Sequence, residues 1–394
     1  MMGHSVETMR VEVDLNAIVS NARDVQALVG PSTGVLAVMK ADAYGHGLVP
    51  VARALERDRV VAGFVVTSLA SGVSLRREGI DLPVIALIGQ YGRGHSAVIE
   101  AGLTPVLASI ADVESFALAA RLLGRRIAAH VEVDTGMSRL GIREDEIARF
   151  LATLAACPEI TITGLCTQLA SADSDSPAPS HRQLDAFEQA RDLFVAAGHR
   201  PTMVHAANTA ATFRLPRSHF SHVRAGIALF GGDEPSGATL RPSMRLVTRV
   251  AQLRSIRAGE AVSYGEAWRA ARPSQIATLP VGYAQGYPRR LSGRTEVLIR
   301  ERRVPVVGSI CMEMMMVDVT DLGDDVHVDD EVVLLGGSGV HEIRATDLAR
   351  SMGGIVEEIF CGIPKTMVRT YSPDSATRIW KDFVRDTLIP SPAS

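Results

Sequence analysis

In the segment AVMKADAYGHG, residues 37–47, a single lysine ends an apolar run and is followed by a turn punctuated with glycine. Residues 34–39 (GVLAVM) lie between Pro31-Ser32 and the Gly45/Gly47 turn, which predicts a short, buried parallel strand. Lys40 then stands at the carboxyl end of that strand, partly desolvated. Desolvation lowers the pKa of an amine and leaves a neutral fraction able to attack an aldehyde. Lys40 is therefore the candidate for a covalent link to pyridoxal 5′-phosphate (PLP). The other reading is a lysine that snorkels to solvent from a barrel rim.

The elements that would position such a lysine recur along residues 34–230. Short apolar strands are expected at 34–39, 61–66, 83–88, 104–107, 127–133, 160–166, 202–205 and 221–224, with helical patterns such as 112–123 and 144–155 between them. Eight strands alternating with helices fit a (β/α)8 TIM-like barrel better than an open doubly wound sheet. From about residue 241 the texture changes to strands without long helices, at 245–255, 275–280, 294–299, 304–307, 314–319 and 331–335. This predicts a barrel domain over 1–240 and a mostly β domain over 241–394. The alternating strand 9–15 (MRVEVDL) precedes the barrel and is expected to pair with the second domain. The tail after Ser372 is expected to fray.

Catalytic groups in such barrels come from the carboxyl ends of several strands. Lys40 ends the first, Asp134 to Arg139 follow the fifth, Thr167-Gln168 the sixth, Asn208-Thr209 the seventh, and Arg224 lies on the eighth before Gly226-Ile227. Phosphate sites favour the loops after strands seven and eight, where the Thr209 hydroxyl and the amides near Gly226 and Ile227 supply donors.

The formal charge of −3 and the lack of a sustained basic cluster argue against nucleic acid or a membrane surface as the main partner. No apolar stretch approaches signal-peptide or membrane-span length, so a cytoplasmic location is expected. The four cysteines, Cys157, Cys166, Cys311 and Cys361, have no CxxC spacing and suggest neither zinc nor a disulfide framework. No metal is expected.

The chain resembles the alanine racemase family over nearly its whole length. The segments that carry the resemblance are VEVDLNAIVSNA (11–22), AVMKADAYGHG (37–47), VEVDTGMSRLGI (131–142), HAANTAA (205–211), VRAGIALFG (223–231), VSYGEAW (262–268) and GSICMEM (308–314). The resemblance implies a barrel followed by a β domain and a head-to-tail homodimer whose active sites are completed by the partner. It implies that Lys40 binds PLP, that Tyr44 and Thr209 help hold its phosphate beside Asn208, Gly226 and Ile227, and that Arg224 faces the pyridine nitrogen. Tyr264 enters from the other subunit, Arg139 draws the substrate carboxylate, and Met312 contributes its backbone N–H.

Three positions depart from the family pattern. Gln168 stands where members carry a histidine, and an amide cannot share the ionisable role of imidazole in activating Tyr264. Glu132 replaces a lysine, often carbamylated, that supports the arginine; it could supply an anion to hold Arg139 directly, or be an ordinary inward polar residue. Glu357 falls where a tyrosine narrows the pocket, and a glutamate there would turn away from a phosphate or serve a polar, cationic substrate. The reading is PLP-dependent racemisation of an amino acid, alanine by default, by two bases, Lys40 and Tyr264. Its rivals are a decarboxylase or an epimerase of a larger polar amino acid on the same fold, and a PLP binder without turnover.

Overall fold

The computed structural model describes residues 9–87, 94–232, 240–338 and 341–372. The chain divides into two compact units, one formed by Ile18–Ala43 and Val51–Leu240, the other by Met1–Ala17, Tyr44–Pro50 and Arg241–Ser394.

The first unit is a closed barrel of eight parallel strands. After β1 (Arg10–Asp14), which belongs to the second unit, come β2 (Gly34–Val38), β3 (Gly63–Val66), β4 (Val84–Ala86), β5 (Thr104–Leu107), β6 (Ile127–Glu132), β7 (Ile160–Cys166), β8 (Met203–His205) and β9 (His222–Ala225). Each pairs with the next, and β9 closes on β2 with Leu36 opposite Arg224. All eight expected strands are present. Residue 88, the end of the expected third strand, lies outside the described residues. The near-continuous apolar runs are those of strands buried on both faces; β3 and β4 are buried throughout. Helices cover the outside and seat Phe116, Phe150, Phe187 and Phe194 in the core.

Helix starts carry local signals. Ser109 accepts from the amide of Asp112 and opens the helix Ile110–Leu122, two residues before the expected 112. The pattern at 144–155 resolves into a 3₁₀ turn, Glu144–Glu146, and the helix Ile147–Ala155.

The second unit is built on a ten-stranded sheet. Its strands are β10 (Met244–Arg249), β11 (Gln252–Ile256), β14 (Ser274–Leu279), β15 (Glu296–Ile299), β16 (Arg302–Val307), β17 (Met315–Asp318), β18 (Glu331–Ser338), β19 (His341–Ile343) and β20 (Arg369–Ser372), with β1 included; β12 (Ala261–Val262) and β13 (Trp268–Arg269) form a separate hairpin. β1 runs antiparallel to β10 and parallel to β20. The single strand expected at 245–255 is two. β10 pairs with β1 and β18, whereas β11 pairs with β14, so the chain must break at Val250-Ala251 to change neighbours. Two short helices, Ala345–Met352 and Val356–Cys361, complete the unit. The tail after Ser372 lies outside the described residues. Among the described residues no helix is long and apolar enough to cross a membrane.

Candidate active site

Lys40 follows β2 and begins a turn in which Ala41, Asp42 and Ala43 hold φ of 52°, 62° and 53°, with Tyr44 at 52°. Left-handed backbone costs an L-residue about 1–2 kcal/mol, so four in a row mark a site whose geometry is imposed by its surroundings. Lys40 is exposed rather than partly desolvated. The strand ends at Val38, one residue earlier than expected, so Lys40 opens the turn.

At the neighbouring strand end Arg224 is buried, and its terminal nitrogens are fully engaged. One donates to Nδ1 of His205 at 2.9 Å and to the His205 carbonyl at 2.7 Å. The other donates to the carbonyls of Thr167 (2.8 Å) and Ala206 (3.1 Å) and to Oε1 of Gln168 (3.1 Å). Among the described residues Nε is left as the remaining donor. Burial lowers the Arg224 pKa, an effect opposed by the field of Cys166 and Glu132.

The arginine dictates the protonation of its neighbours. A guanidinium only donates, so Nδ1 of His205 accepts and its proton sits on Nε2. Nε2 lies 3.0 Å from Nδ1 of His130 and donates to it. Both imidazoles are neutral, because burial depresses them first and nearby charge adds to it; His130 is pushed down to about 4 and His205 well below its ordinary range. This relay was not legible as a site, although His205 opens the HAANTAA segment and His130 interrupts the apolar strand IAAHVEV. Space for the His130 ring comes from Gly164 opposite it on β7, where a Cβ would overlap the imidazole, and from a register shift between Ala129 and His130.

Gln168 spends its carbonyl on Arg224 and its amide on the Leu169 carbonyl at 3.1 Å. Gln183 reaches the Gln168 carbonyl (3.0 Å) and the Thr135 hydroxyl (3.2 Å), and Thr135 shares a 2.7 Å bond with Thr167, which ties the loop after β6 to the end of β7. Glu132 is buried, which raises its pKa, while Arg224 and then Arg139 draw it down. Arg139 is exposed. Glu132 and Arg139 act on each other through charge, and no ion pair within 4.0 Å joins them among the described residues. Of the two readings of Glu132, the structure shows a buried inward residue of β6 that acts on Arg139 through its charge.

Thr209 begins the helix Thr209–Arg214, which Asn208 caps by accepting from the amide of Ala211 at 3.0 Å. The amide of Gly226 donates to Oγ1 of Thr209 at 3.1 Å. This bond joins the two segments expected at the phosphate, Thr209 and Gly226-Ile227. The Thr209 hydroxyl proton and the amide of Ile227, which opens the 3₁₀ turn Ile227–Phe230, remain for an anion.

Within the second unit Tyr44 is buried, and burial followed by the charge of Glu357 raises its pKa, so the phenol keeps its proton as a donor. Glu357 is half-buried on the helix Val356–Cys361, close enough for its charge to act on Tyr44. Tyr264 (72% exposed) and Met312 (59%) lie on two loops brought together by Ser309, whose hydroxyl donates to the Tyr264 carbonyl at 3.2 Å and whose carbonyl accepts from Ser263 at 2.6 Å. Tyr283, also exposed, sits beside them, with its amide on the Cys311 carbonyl and that of Ala284 on Met312; sequence reading passed over it.

Residues 13–234 match the alanine racemase N-terminal domain family, and residues 243–371 match the alanine racemase C-terminal domain family. The chain belongs to the alanine racemase family. A relative named alanine racemase from Symbiobacterium thermophilum is 42% identical over 371 residues, 93% of this chain and 97% of the relative. The solved alanine racemase from Streptomyces coelicolor A3(2) superposes with a TM-score of 0.88 at 30% identity, covering 93% of this chain and 98% of that one. That from Bartonella henselae, solved with covalently bound pyridoxal phosphate, gives a TM-score of 0.84 at 30% identity, covering 93% and 99%. The alanine racemase resemblance read from the sequence is thus confirmed across both domains.

The alanine racemase barrel unit here fits PLP by its donor set. It offers an amine at a strand end, a buried guanidinium with one donor uncommitted, and hydroxyl and amide donors at a 3₁₀ turn.

Proposed function

We propose that this chain racemises an amino acid, alanine by default, with PLP held by Lys40. The observation that carries the reading is the pairing of β2 with β9, which sets the strand leading to Lys40 beside the strand bearing the buried Arg224. PLP, when bound, supplies the electron sink that makes removal of an α-proton feasible near neutral pH. The residues of this chain would then divide the work. Arg224, unable to give up its proton, keeps the facing ring nitrogen unprotonated, because adjacent cations are unfavourable. Tyr44, Thr209 and the Ile227 amide hold the phosphate, and Asn208 orients the helix that starts there.

Arg139 attracts the substrate carboxylate by a charge-assisted bond, and Met312 adds its backbone N–H. Lys40 takes or returns the proton at Nζ on one face, and the partner subunit's Tyr264 does so at Oη on the other. Exposure of Tyr264, Met312 and Met314 on one unit supports a homodimer in which these tips reach a second copy. Gln168, committed to Arg224, supports the arginine and leaves activation of the tyrosine to other groups.

A second reading rests on Glu357. A half-buried carboxylate beside Tyr44 favours a larger, polar or cationic substrate over alanine. Proton NMR of α-hydrogen exchange in D2O across a panel of L-amino acids, with product chirality read afterwards, separates the two. Exchange with formation of D-alanine supports the first reading, and exchange confined to lysine or arginine supports the second. No exchange with any amino acid would leave a decarboxylase or a PLP binder without turnover.

A further inference from the structure

The left-handed turn after Lys40 needs something to hold it, and the last described strand supplies a candidate. Gly45, which ends the turn at φ +77°, gives its carbonyl to Nε of Arg369 at 2.6 Å. The same buried guanidinium donates through a terminal nitrogen to the carbonyls of Met367 (2.8 Å), Pro364 (3.3 Å) and Lys365 (3.3 Å). Its other terminal nitrogen is buried without a partner among the described residues. A buried charge balanced by carbonyl dipoles alone is costly, and it is kept where geometry matters.

Two residues along the strand, on the same face, Tyr371 stands over Gly47, where a Cβ would overlap its hydroxyl. Gly45 is closed in the same way by the Phe360 carbonyl. Strand β20 is itself anchored by parallel pairing, with Val11 opposite Arg369 and Val13 opposite Tyr371. Side chains two residues apart on one strand therefore meet backbone two residues apart on the glycine segment.

We propose that Arg369 is a positioning residue for Lys40 and Tyr44, fixing the Gly45 carbonyl and with it the strained turn that presents both side chains. It acts through the turn and does not touch the substrate. Lysine at this position keeps the charge, but its single ammonium cannot span Gly45 and the 364–367 carbonyls as a planar fork does.

The test uses the full-length protein with Arg369→Gln and, as the milder change, Arg369→Lys. Amide hydrogen exchange is followed by mass spectrometry, and PLP is titrated by absorbance. Both variants are expected to speed exchange in peptides covering 40–47 while the barrel strands keep their protection. Both should also weaken PLP binding by about tenfold or more, as loss of a charge-assisted bond implies. Unchanged protection over 40–47 overturns the proposal, as does a uniform rise across the chain. So does full recovery of protection and affinity in Arg369→Lys, since charge alone would then suffice. The titration rests on the proposed role of Lys40, whereas the exchange does not, so loss of that role would leave the exchange result to decide.

Discussion

Arg224 donates to Nδ1 of His205 at 2.9 Å inside the barrel, and that one bond sets the tautomer of His205 and, through it, of His130. A permanent cation is thereby held by neutral acceptors, and among the described residues Nε remains as its one uncommitted donor.

Removing the acceptor should be costly. His205→Phe leaves a buried Arg224 donor unsatisfied and is expected to destabilise the fold by about 1–3 kcal/mol, read as a lower urea midpoint at unchanged slope. His205→Gln, which can still accept, should recover part of the loss.

Stability should depend on pH in a defined window. His130 binds its proton with a pKa of about 4 when folded and near 6.5 when unfolded, and His205 is lowered too. The unfolded chain therefore binds more protons between these values, so stability rises with pH from about 4 to 6.5, is fully present above, and is lost as pH falls through the window. The His130 shift alone corresponds to about 3 kcal/mol. Urea unfolding at pH 4.5, 5.5 and 7 reads it, and a flat profile would count against the buried neutral relay.

Gly164→Ala should act on the same relay from the neighbouring strand. The added methyl overlaps the buried His130 ring, and overpacking of this kind costs about 1–3 kcal/mol. Paired with His130→Ala it should cost much less, because the ring it strikes is gone; a double-mutant cycle measures the difference.

Lys40→Ala is expected to abolish the visible absorption of the lysine–PLP link. Retention of a borohydride-reducible PLP adduct on another residue would sink the assignment.

Tyr264→Phe should slow proton removal from one enantiomer much more than from the other, because the two bases serve opposite faces. Isotope exchange measured separately from the L- and D-substrate reads the asymmetry. Equal losses would argue against two bases.

Local pattern was enough for much of this molecule. The short apolar runs between residues 34 and 225 announce eight barrel strands, since strands covered on both faces carry little but apolar side chains. The segment AVMKADAYGHG places Lys40 at a strand end and Gly45 and Gly47 just beyond it, because chain continuity alone sets that order. Tertiary structure decided what spacing could not. His130 and His205 are 75 residues apart in the chain and meet only when β6, β7 and β8 align. The Gly226 amide is spent on Thr209, Gln168 turns to Arg224, and the run 245–255 breaks because its halves have different neighbours. Arg369 reaches back 324 residues to Gly45. Each is a hydrogen bond or a choice of strand partner between distant segments, and a linear sequence encodes the capacity to donate or accept without naming the partner.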